Sequence, residues 1–203
     1  MSGMGRREAQ DEWIAVLRPA YDDARVRHAR MRSDAYEAAR LDALRRRLCG
    51  PELWFSDIDA QALAVWRETW AGAHPSGAGK WNWPKLVEQL PRRAAVLPIA
   101  IWYGNDLCGM ALGHASRARL NRSRHTVTLT HVERRPEPPR VSVRGQLAEL
   151  AIMAAEEYGK AVGARRLRLL NPDGNPLSHY AGLGFETVWN AGVPVFCQKE
   201  LFR

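Results

Sequence analysis

Cysteine is scarce in this sequence, and its spacing matches neither a disulfide framework nor a metal site. The three cysteines are odd in number, far apart and without any Cys-x-x-Cys pair: Cys49, Cys108 and Cys197. This argues against a small disulfide-stabilised fold and against a zinc knuckle. His125, His131 and His179 also lack the spacing of a common metal site, so we expect no bound metal.

Long hydrophobic runs are missing as well. No stretch is apolar for long enough to cross a bilayer, and the arginine-rich, acid-containing N-terminus has no apolar signal region. Because the cysteine usage suits a reducing compartment, we expect a cytoplasmic protein that is not bound to a membrane. Neither a Gly-x-Ser-x-Gly motif nor a Ser-His-Asp pattern occurs, which leaves a hydrolase without support.

The composition is that of a folded, basic protein of about one domain. Of 203 residues, 46% are hydrophobic and 26% are charged, which is ordinary for a globular chain. The formal net charge of +8 and the pI near 9.9 favour an acidic ligand or partner, such as a nucleotide or a nucleic acid.

The first 50 residues carry a helical pattern. Apolar residues recur at steps of three and four from residue 8 to residue 48, and we expect Pro19 to divide them into a short helix and a long one. We predict a helical N-terminal extension over residues 1–50 and a second unit over residues 51–203. The extension either packs on that unit, forms a homodimer or contacts nucleic acid through its arginines. The acids among those arginines favour packing.

Tryptophan is concentrated in the middle of the chain. Most of the eight tryptophans lie between Trp54 and Trp102, where they either line a substrate pocket or fill a helix–sheet core. The run Ser56-Asp57-Ile58-Asp59 is typical of a helix cap and predicts a helix at residues 60–70, and a further helix is expected at residues 85–90.

From residue 96 onward, strand patterns alternate with helical ones. In the strand expected at residues 125–132, Val127, Leu129 and His131 share one face. An amphipathic helix follows Gly145 and stops at Gly163, where a C-terminal glycine is expected. The expected strands are residues 96–103, 107–113, 125–132, 166–170, 185–189 and 193–201, and the expected helices are residues 145–163 and 177–183.

The helix, strand, polar turn and short helix over residues 145–186 end in Tyr180-Ala181-Gly182-Leu183-Gly184-Phe185-Glu186. This order resembles the C-terminal half of the GCN5-related N-acetyltransferase (GNAT) superfamily, and by element order the resemblance covers residues 97–202. It implies an α/β (α+β) fold, with a mixed twisted sheet of about six strands flanked by helices. It also implies transfer of an acetyl group from acetyl-CoA, or from another acyl-CoA, to a primary amine of a small molecule, a protein or an aminoacyl-tRNA.

The same resemblance implies where the cofactor binds. The family's phosphate loop reads Gln/Arg-x-x-Gly-x-Gly/Ala, and Ser142-Val143-Arg144-Gly145-Gln146-Leu147 keeps its first glycine and has leucine at its second. Glycine serves in such loops because the backbone must approach phosphate oxygens. The implied cofactor residues are the backbone of His131 and Val132, the loop residues Arg140, Arg144, Gly145 and Gln146, and Asn171 or Asn175 beside the pantetheine arm.

Acyl transfer to an amine requires a base, oxyanion donors and an acid for the departing thiolate. The resemblance implies Glu133 as the base and Tyr180 as the acid, with the backbone N–H groups of residues 131–133 as oxyanion donors. Each assignment has an alternative. Glu133 could form an ion pair with Arg134, Arg135 or Arg168, and Tyr180 could be a packing tyrosine. His131 could act as a second base or be a half-buried strand histidine.

Two other functions remain open. With Leu147 in the loop, the chain could be a GNAT-like module that has lost affinity for the cofactor and serves in binding or assembly. Residues 117–144 are rich in arginine, with Glu133 and Glu137 as their only acids, which suits either the phosphates of CoA or a nucleic acid.

Overall fold

The computed structural model describes residues 4–70, 81–89, 95–116, 125–136, 143, 145–170 and 177–202, with side chains from residue 20 onward. This part of the chain contains five helices and seven strands. The helices are α1 (Met4–Arg45), α2 (Ala60–Thr69), α3 (Trp83–Glu88), α4 (Leu147–Ala161) and α5 (Leu177–Gly182). The strands are β1 (Leu53–Ser56), β2 (Val96–Tyr103), β3 (Asp106–Ser116), β4 (Thr126–Arg134), β5 (Arg166–Leu170), β6 (Glu186–Asn190) and β7 (Val193–Glu200).

The seven strands form one mixed sheet in the order β1-β2-β3-β4-β5-β7-β6. Neighbouring strands are antiparallel, except β4 and β5, which are parallel and connected through α4. The α/β fold class is confirmed, but the sheet has seven strands where about six are expected. The additional strand is β1, in which Phe55 lies opposite Ile101 of β2. Its four residues are too few for an alternating pattern to be recognised beside a helix cap.

Two side-chain caps fix the starts of the short helices. Asp59 accepts a hydrogen bond from the N–H of Ala62 at 2.8 Å, which confirms the predicted cap of α2. Asn82 accepts one from the N–H of Lys85 at 3.1 Å, with Pro84 in the first turn. Helix α3 therefore begins at Trp83, two residues before the predicted start.

The sheet separates two hydrophobic cores. The main core packs α1 and α4 against one face and includes Leu97, Ile99, Val127 and Leu129. The second core, which we call the tryptophan core, packs α2 and α3 against the other face. Its large members are buried tryptophans: Trp66, Trp70, Trp83 and Trp102. The tryptophan-rich middle of the chain is therefore mostly core, as one of the two sequence interpretations has it.

Helix α1 is one continuous helix, so the predicted break at Pro19 is wrong. Proline removes one N–H donor and crowds the preceding turn, yet its fixed φ is compatible with a helix, and α1 continues through it. The helix is held to the connection between β1 and α2 by Arg32, whose Nε and Nη2 donate to the two carboxylate oxygens of Asp57 at 2.8 and 2.6 Å. Burial, together with Asp57, raises the pKa of Tyr36 well above its ordinary value, so its hydroxyl stays protonated. That hydroxyl donates to the carbonyl of Pro98 at 2.6 Å.

Strand β4 contains one residue more than the stretch of β3 that it faces. Leu112 pairs with His131 and Gly113 pairs with Leu129, which leaves Thr130 as a β-bulge. The Thr130 hydroxyl donates to the Leu112 carbonyl at 3.0 Å. The bulge reverses the side-chain alternation: Leu129 lies in the main core, whereas His131 contacts Trp81 and Trp83 on the opposite face. The prediction that His131 shares a face with Leu129 is therefore wrong.

We expect Gly113→Ala to destabilise the protein by about 1–3 kcal/mol, because the bulge leaves no room for a side chain. A Cβ at this position would lie 2.6 Å from the Thr128 carbonyl oxygen and 3.0 Å from a Leu129 methyl. The measurement is the free energy of unfolding in denaturant. Gly182→Ala, where a Cβ would meet nothing within 4 Å, is the matched control and should change it by a few tenths of a kcal/mol at most. Equal stability of the two variants would contradict this account of the bulge.

Candidate active site

Strand β4 extends beyond its pairing with β5. The parallel pairing covers only Thr126 to Leu129, opposite Arg166 to Leu169. Strand β5 ends at Leu170, while β4 continues to Arg134 with β3 on its other side. Among the described strands, none pairs with this edge of β4 after Leu129, so the sheet opens between β4 and β5.

A backbone donor points into this opening. The N–H of Arg135 donates to the Cys108 carbonyl of β3 at 2.9 Å. Because successive N–H groups point to opposite sides of a strand, the N–H of Val132 points away from β3 and into the opening. Val132 is 40% exposed. The opening therefore has a hydrogen-bond donor within the stretch from which oxyanion donors are expected.

Helix α4 begins at the same end of the opening. A Cβ on Gly109, which pairs with Arg134 in β4, would lie 2.7 Å from a methyl carbon of Leu147. The Leu147 side chain is thus buried over β3 and points towards the sheet rather than out from the helix start. Gly145, two residues earlier, has a φ of +93°, which glycine adopts without strain.

The start of α4 has no side-chain cap. Gln146 occupies the capping position without making a capping hydrogen bond, and its buried Oε1 has no partner among the described residues. An uncapped helix start presents its first-turn N–H groups to an anion. Glu149 lies in that first turn, and its negative charge would repel an anion. Basic side chains must offset this charge if an anion is to bind here.

The carboxylate of Glu133 is buried on the other face of the sheet, beside the tryptophan core. The indole Nε1 of Trp83 donates to Glu133 Oε2 at 2.6 Å, and the residue is only 7% exposed. Arg135, one of the ion-pair partners considered for Glu133, forms an ion pair with Asp106 at 3.1 Å. The guanidinium of Arg168 lies 4.7 Å from the centre of the Phe196 ring. The geometry thus gives Glu133 a neutral hydrogen-bond donor that fixes the orientation of its carboxylate.

His131 lies on the same face, two residues before Glu133 along β4. Its Nδ1 is 2.8 Å from the Thr130 hydroxyl oxygen. Since that hydroxyl uses its single proton to bond the Leu112 carbonyl, Thr130 must accept, and His131 Nδ1 must carry a proton. The lone pair of the neutral imidazole is therefore on Nε2. Burial lowers the pKa of His131, so the ring is neutral near pH 7.

Tyr180 is placed by α5, which follows the carboxyl end of β5. The side chain is half-buried against the main core, with its ring edge towards Phe185 at 6.2 Å between centroids. The N–H groups of Leu183 and Phe185 both donate to its carbonyl at 3.0 Å, which closes the turn into β6. This turn leads into β6, whose first residue, Glu186, pairs with Gln198 of β7 opposite Arg168 of β5, so the turn lies towards the amino end of β5 and away from the end of β4 that carries Glu133.

Four of the predicted cofactor residues lie outside the described residues: Arg140, Arg144, Asn171 and Asn175. Of the others, the structure brings Gly145 and Gln146 to the start of α4, and His131 and Val132 to the opened part of β4. In the described ranges no three His, Cys, Asp or Glu side chains are grouped closely enough to hold a metal ion. Burial raises the pKa of the Cys108 thiol to about 11, so this cysteine is a poor nucleophile.

Sequence reasoning missed Trp83 and Thr130 as parts of the site. Trp83 was visible only as one tryptophan among several, although the Asn82 cap and Pro84 mark the helix that directs it towards Glu133. Nothing in the strand pattern marks Thr130 as the bulged residue. A glycine opposite it, Gly113, is the one available signal.

No protein-family model matches the sequence, and no protein of curated function matches it either. Solved structures do match. A protein described as a GNAT-family acetyltransferase from Desulfovibrio desulfuricans is 13% identical, with a TM-score of 0.54 over 74% of this chain and 99% of that one. An acetyltransferase from Trypanosoma brucei is 18% identical, with a TM-score of 0.51 over 68% and 95% of the two chains. RimJ from Mycobacterium smegmatis, in complex with CoA-disulfide, is 14% identical, with a TM-score of 0.50 over 73% and 81%. At these identities the likeness shows the fold, and that fold is the GNAT fold.

We expect the imidazole of His131 to titrate below the ordinary histidine pKa of about 6.5, because burial disfavours its charged form. Because protonation of His131 is less favourable in the folded protein than in the unfolded chain, the free energy of unfolding falls as the pH drops from about 6.5 through the lower pKa of the folded state. Trp81→Ala removes a ring that lies 4.4 Å away, so the titration midpoint in NMR should rise. Trp189→Ala, an exposed tryptophan in β6, is the control. A midpoint that is the same in the parent and in both variants would refute the burial argument.

Proposed function

We propose that this chain, which has the GNAT fold, transfers an acetyl group from acetyl-CoA, or an acyl group from another acyl-CoA, to a primary amine. The observation that carries the proposal is the opening between β4 and β5. The uncapped start of α4 lies on its main-core side, and Glu133 and His131 lie on its tryptophan-core side. Tyr180 enters the proposal through the family resemblance of residues 180–186. A donor and an acceptor molecule that enter from opposite faces would meet in this opening.

The cofactor side rests on the start of α4. The first-turn N–H groups and the positive φ of Gly145 suit a pyrophosphate, and the inward orientation of Leu147 keeps the missing second glycine from obstructing it. Arg140 and Arg144 are the basic side chains that would offset Glu149 and pair with phosphate oxygens. Asn171 or Asn175, after β5, would hydrogen-bond to the pantetheine arm.

The acceptor side rests on Glu133. The amine nitrogen attacks the thioester carbonyl carbon, and its proton passes to the Glu133 carboxylate directly or through a water. The carbonyl oxygen, which gains negative charge, receives a hydrogen bond from the N–H of Val132. The C–S bond then breaks, and the departing thiolate takes a proton from the hydroxyl of Tyr180.

His131 is the second candidate for the base. Its proton is on Nδ1, so the lone pair of Nε2 is available to take a proton from the amine. The lowered pKa of His131 keeps the ring neutral. Glu133 is preferred because the Trp83 hydrogen bond fixes its carboxylate. The acceptor itself is a small molecule, a protein amino group or an aminoacyl-tRNA, and a homodimer through α1 is part of the same proposal.

We expect acetyl-CoA to bind with a Kd on the order of micromolar, as measured by calorimetric titration. The double variant Arg140→Ala, Arg144→Ala should weaken binding by at least about tenfold, because each charge-assisted hydrogen bond contributes roughly 1.5–3 kcal/mol. Arg25→Ala, Arg30→Ala, which removes the same charge from exposed positions of α1, is the matched control. No detectable binding by the parent would instead favour a non-catalytic module or a nucleic-acid-binding protein.

Glu133→Gln should lower kcat by about 10²–10⁴-fold while the affinity for acetyl-CoA stays unchanged, because the amide can still accept from Trp83 but cannot take a proton. Tyr180→Phe should lower kcat and leave the fold unchanged, because it removes only the hydroxyl that protonates the thiolate. Release of free CoA thiol is followed over a panel of primary amines, with Glu186→Gln, at the exposed edge strand β6, as the control. Full turnover by Glu133→Gln together with loss in His131→Gln would transfer the role of base to His131.

A further inference from the structure

A second cavity lies at the opposite edge of the sheet from the proposed active site. It has a volume of about 510 Å³ between α1 and the sheet edge where β3 ends and β2, β4 and β5 begin. His125 precedes β4 and Glu133 lies near its far end, so at about 3.3 Å per residue the two are roughly 25 Å apart. The cavity is of the size of small-molecule sites, which range over roughly 300–1,000 Å³.

Basic and polar side chains converge on this cavity from α1, from β3 and from the residue before β4. Helix α1 contributes Arg27 and His28, β3 contributes His114 and Ser116, and the residue before β4 is His125. The other lining residues are small or apolar: Ala24, Ala95, Ala115, Val162 and Ala164. None of these described lining residues is acidic. Arg27 is exposed and has no ion pair with any residue that the structure describes.

The floor of the cavity is fixed by hydrogen bonds. Ala115 N–H donates to the Ala95 carbonyl at 2.8 Å, which joins the end of β3 to the start of β2. The His125 carbonyl accepts from the N–H of Arg165 at 3.0 Å, which joins β4 to β5. His28 is held from behind, since its Nδ1 lies 2.8 Å from the hydroxyl of the fully buried Tyr158 in α4. A site with preformed walls loses little entropy when a ligand binds.

We propose that this cavity binds a small doubly charged oxyanion, such as the phosphate group of a small molecule. Among the described lining residues, one arginine and three histidines face the cavity and no carboxylate does, and a volume of about 510 Å³ suits a small molecule. The ionisable side chains that face the bound anion are Arg27, His28, His114 and His125, with Tyr158 behind His28. A histidine ring that carries a proton binds an anion more tightly than a neutral ring, so acid pH should strengthen binding.

The test uses inorganic sulfate as the probe, because its charge does not change between pH 5.5 and 7.5. Ring signals of the histidines are followed by NMR at constant ionic strength, with and without CoA. Saturable shifts confined to His28, His114 and His125, with binding at least about tenfold tighter at pH 5.5 than at pH 7.5, are expected. His131, near the far end of β4, and His179 in α5, neither of which lines the cavity, are internal controls. Because the reporters are remote from the CoA site, this result does not depend on whether CoA binds.

Two double variants complete the test. Arg27→Gln, His114→Gln should weaken sulfate binding by about tenfold or more, whereas Arg30→Gln, His179→Gln removes the same groups elsewhere and should leave it unchanged. Arg27→Gln alone, at an exposed position, keeps the test valid if the first double variant unfolds. Equal shifts at all histidines, or unchanged affinity in the cavity variants, would overturn the proposal. Shifts caused by a short single-stranded RNA but not by sulfate would overturn it in favour of a nucleic-acid surface.

Discussion

The arrangement of the proposed active site depends on one extra residue in β4. By occupying a bulge, Thr130 turns the strand so that Leu129 stays in the main core while His131 faces the tryptophans. Its hydroxyl bonds the Leu112 carbonyl and accepts from His131, so one side chain both closes the bulge and fixes the tautomer of the histidine. Pairing with β5 stops at the residue before it. The bulge at Thr130 thus marks both the point where β4 loses its partner strand and the point where its side chains change face.

The tryptophan core has a chemical consequence beyond packing. A carboxylate that is 7% exposed would cost several kcal/mol to bury without a partner. The indole N–H of Trp83 offsets part of that cost while adding no charge of its own. The same indole donor therefore also holds the carboxylate of Glu133 in one orientation.

Much of the fold could be predicted from the sequence because its signals are local. The bounds of β2 follow from its continuous apolar run, those of β5 follow from alternation, and the start of α2 follows from the Asp59 cap. The errors arise where tertiary context decides. The short strand β1 exists because β2 offers it a paired edge, and α1 continues through Pro19 as a single helix. The face of His131 could not be predicted because a bulge is a relation between two strands, and alternation along one strand does not contain it.

Gly109 and Leu147 occupy one shared volume above β3. The leucine at the start of α4 fits because the strand below it has no side chain, and a Cβ there would come within 2.7 Å of a leucine methyl. The side-chain sizes that these two positions tolerate therefore depend on each other. A chain with glycine at position 147 has space for alanine at position 109, whereas with leucine at 147 an alanine at 109 displaces the leucine methyl. Among proteins of this fold, the second glycine of the phosphate loop and the size of this strand residue should consequently co-vary, so the loop motif is best read together with a position nearly forty residues earlier.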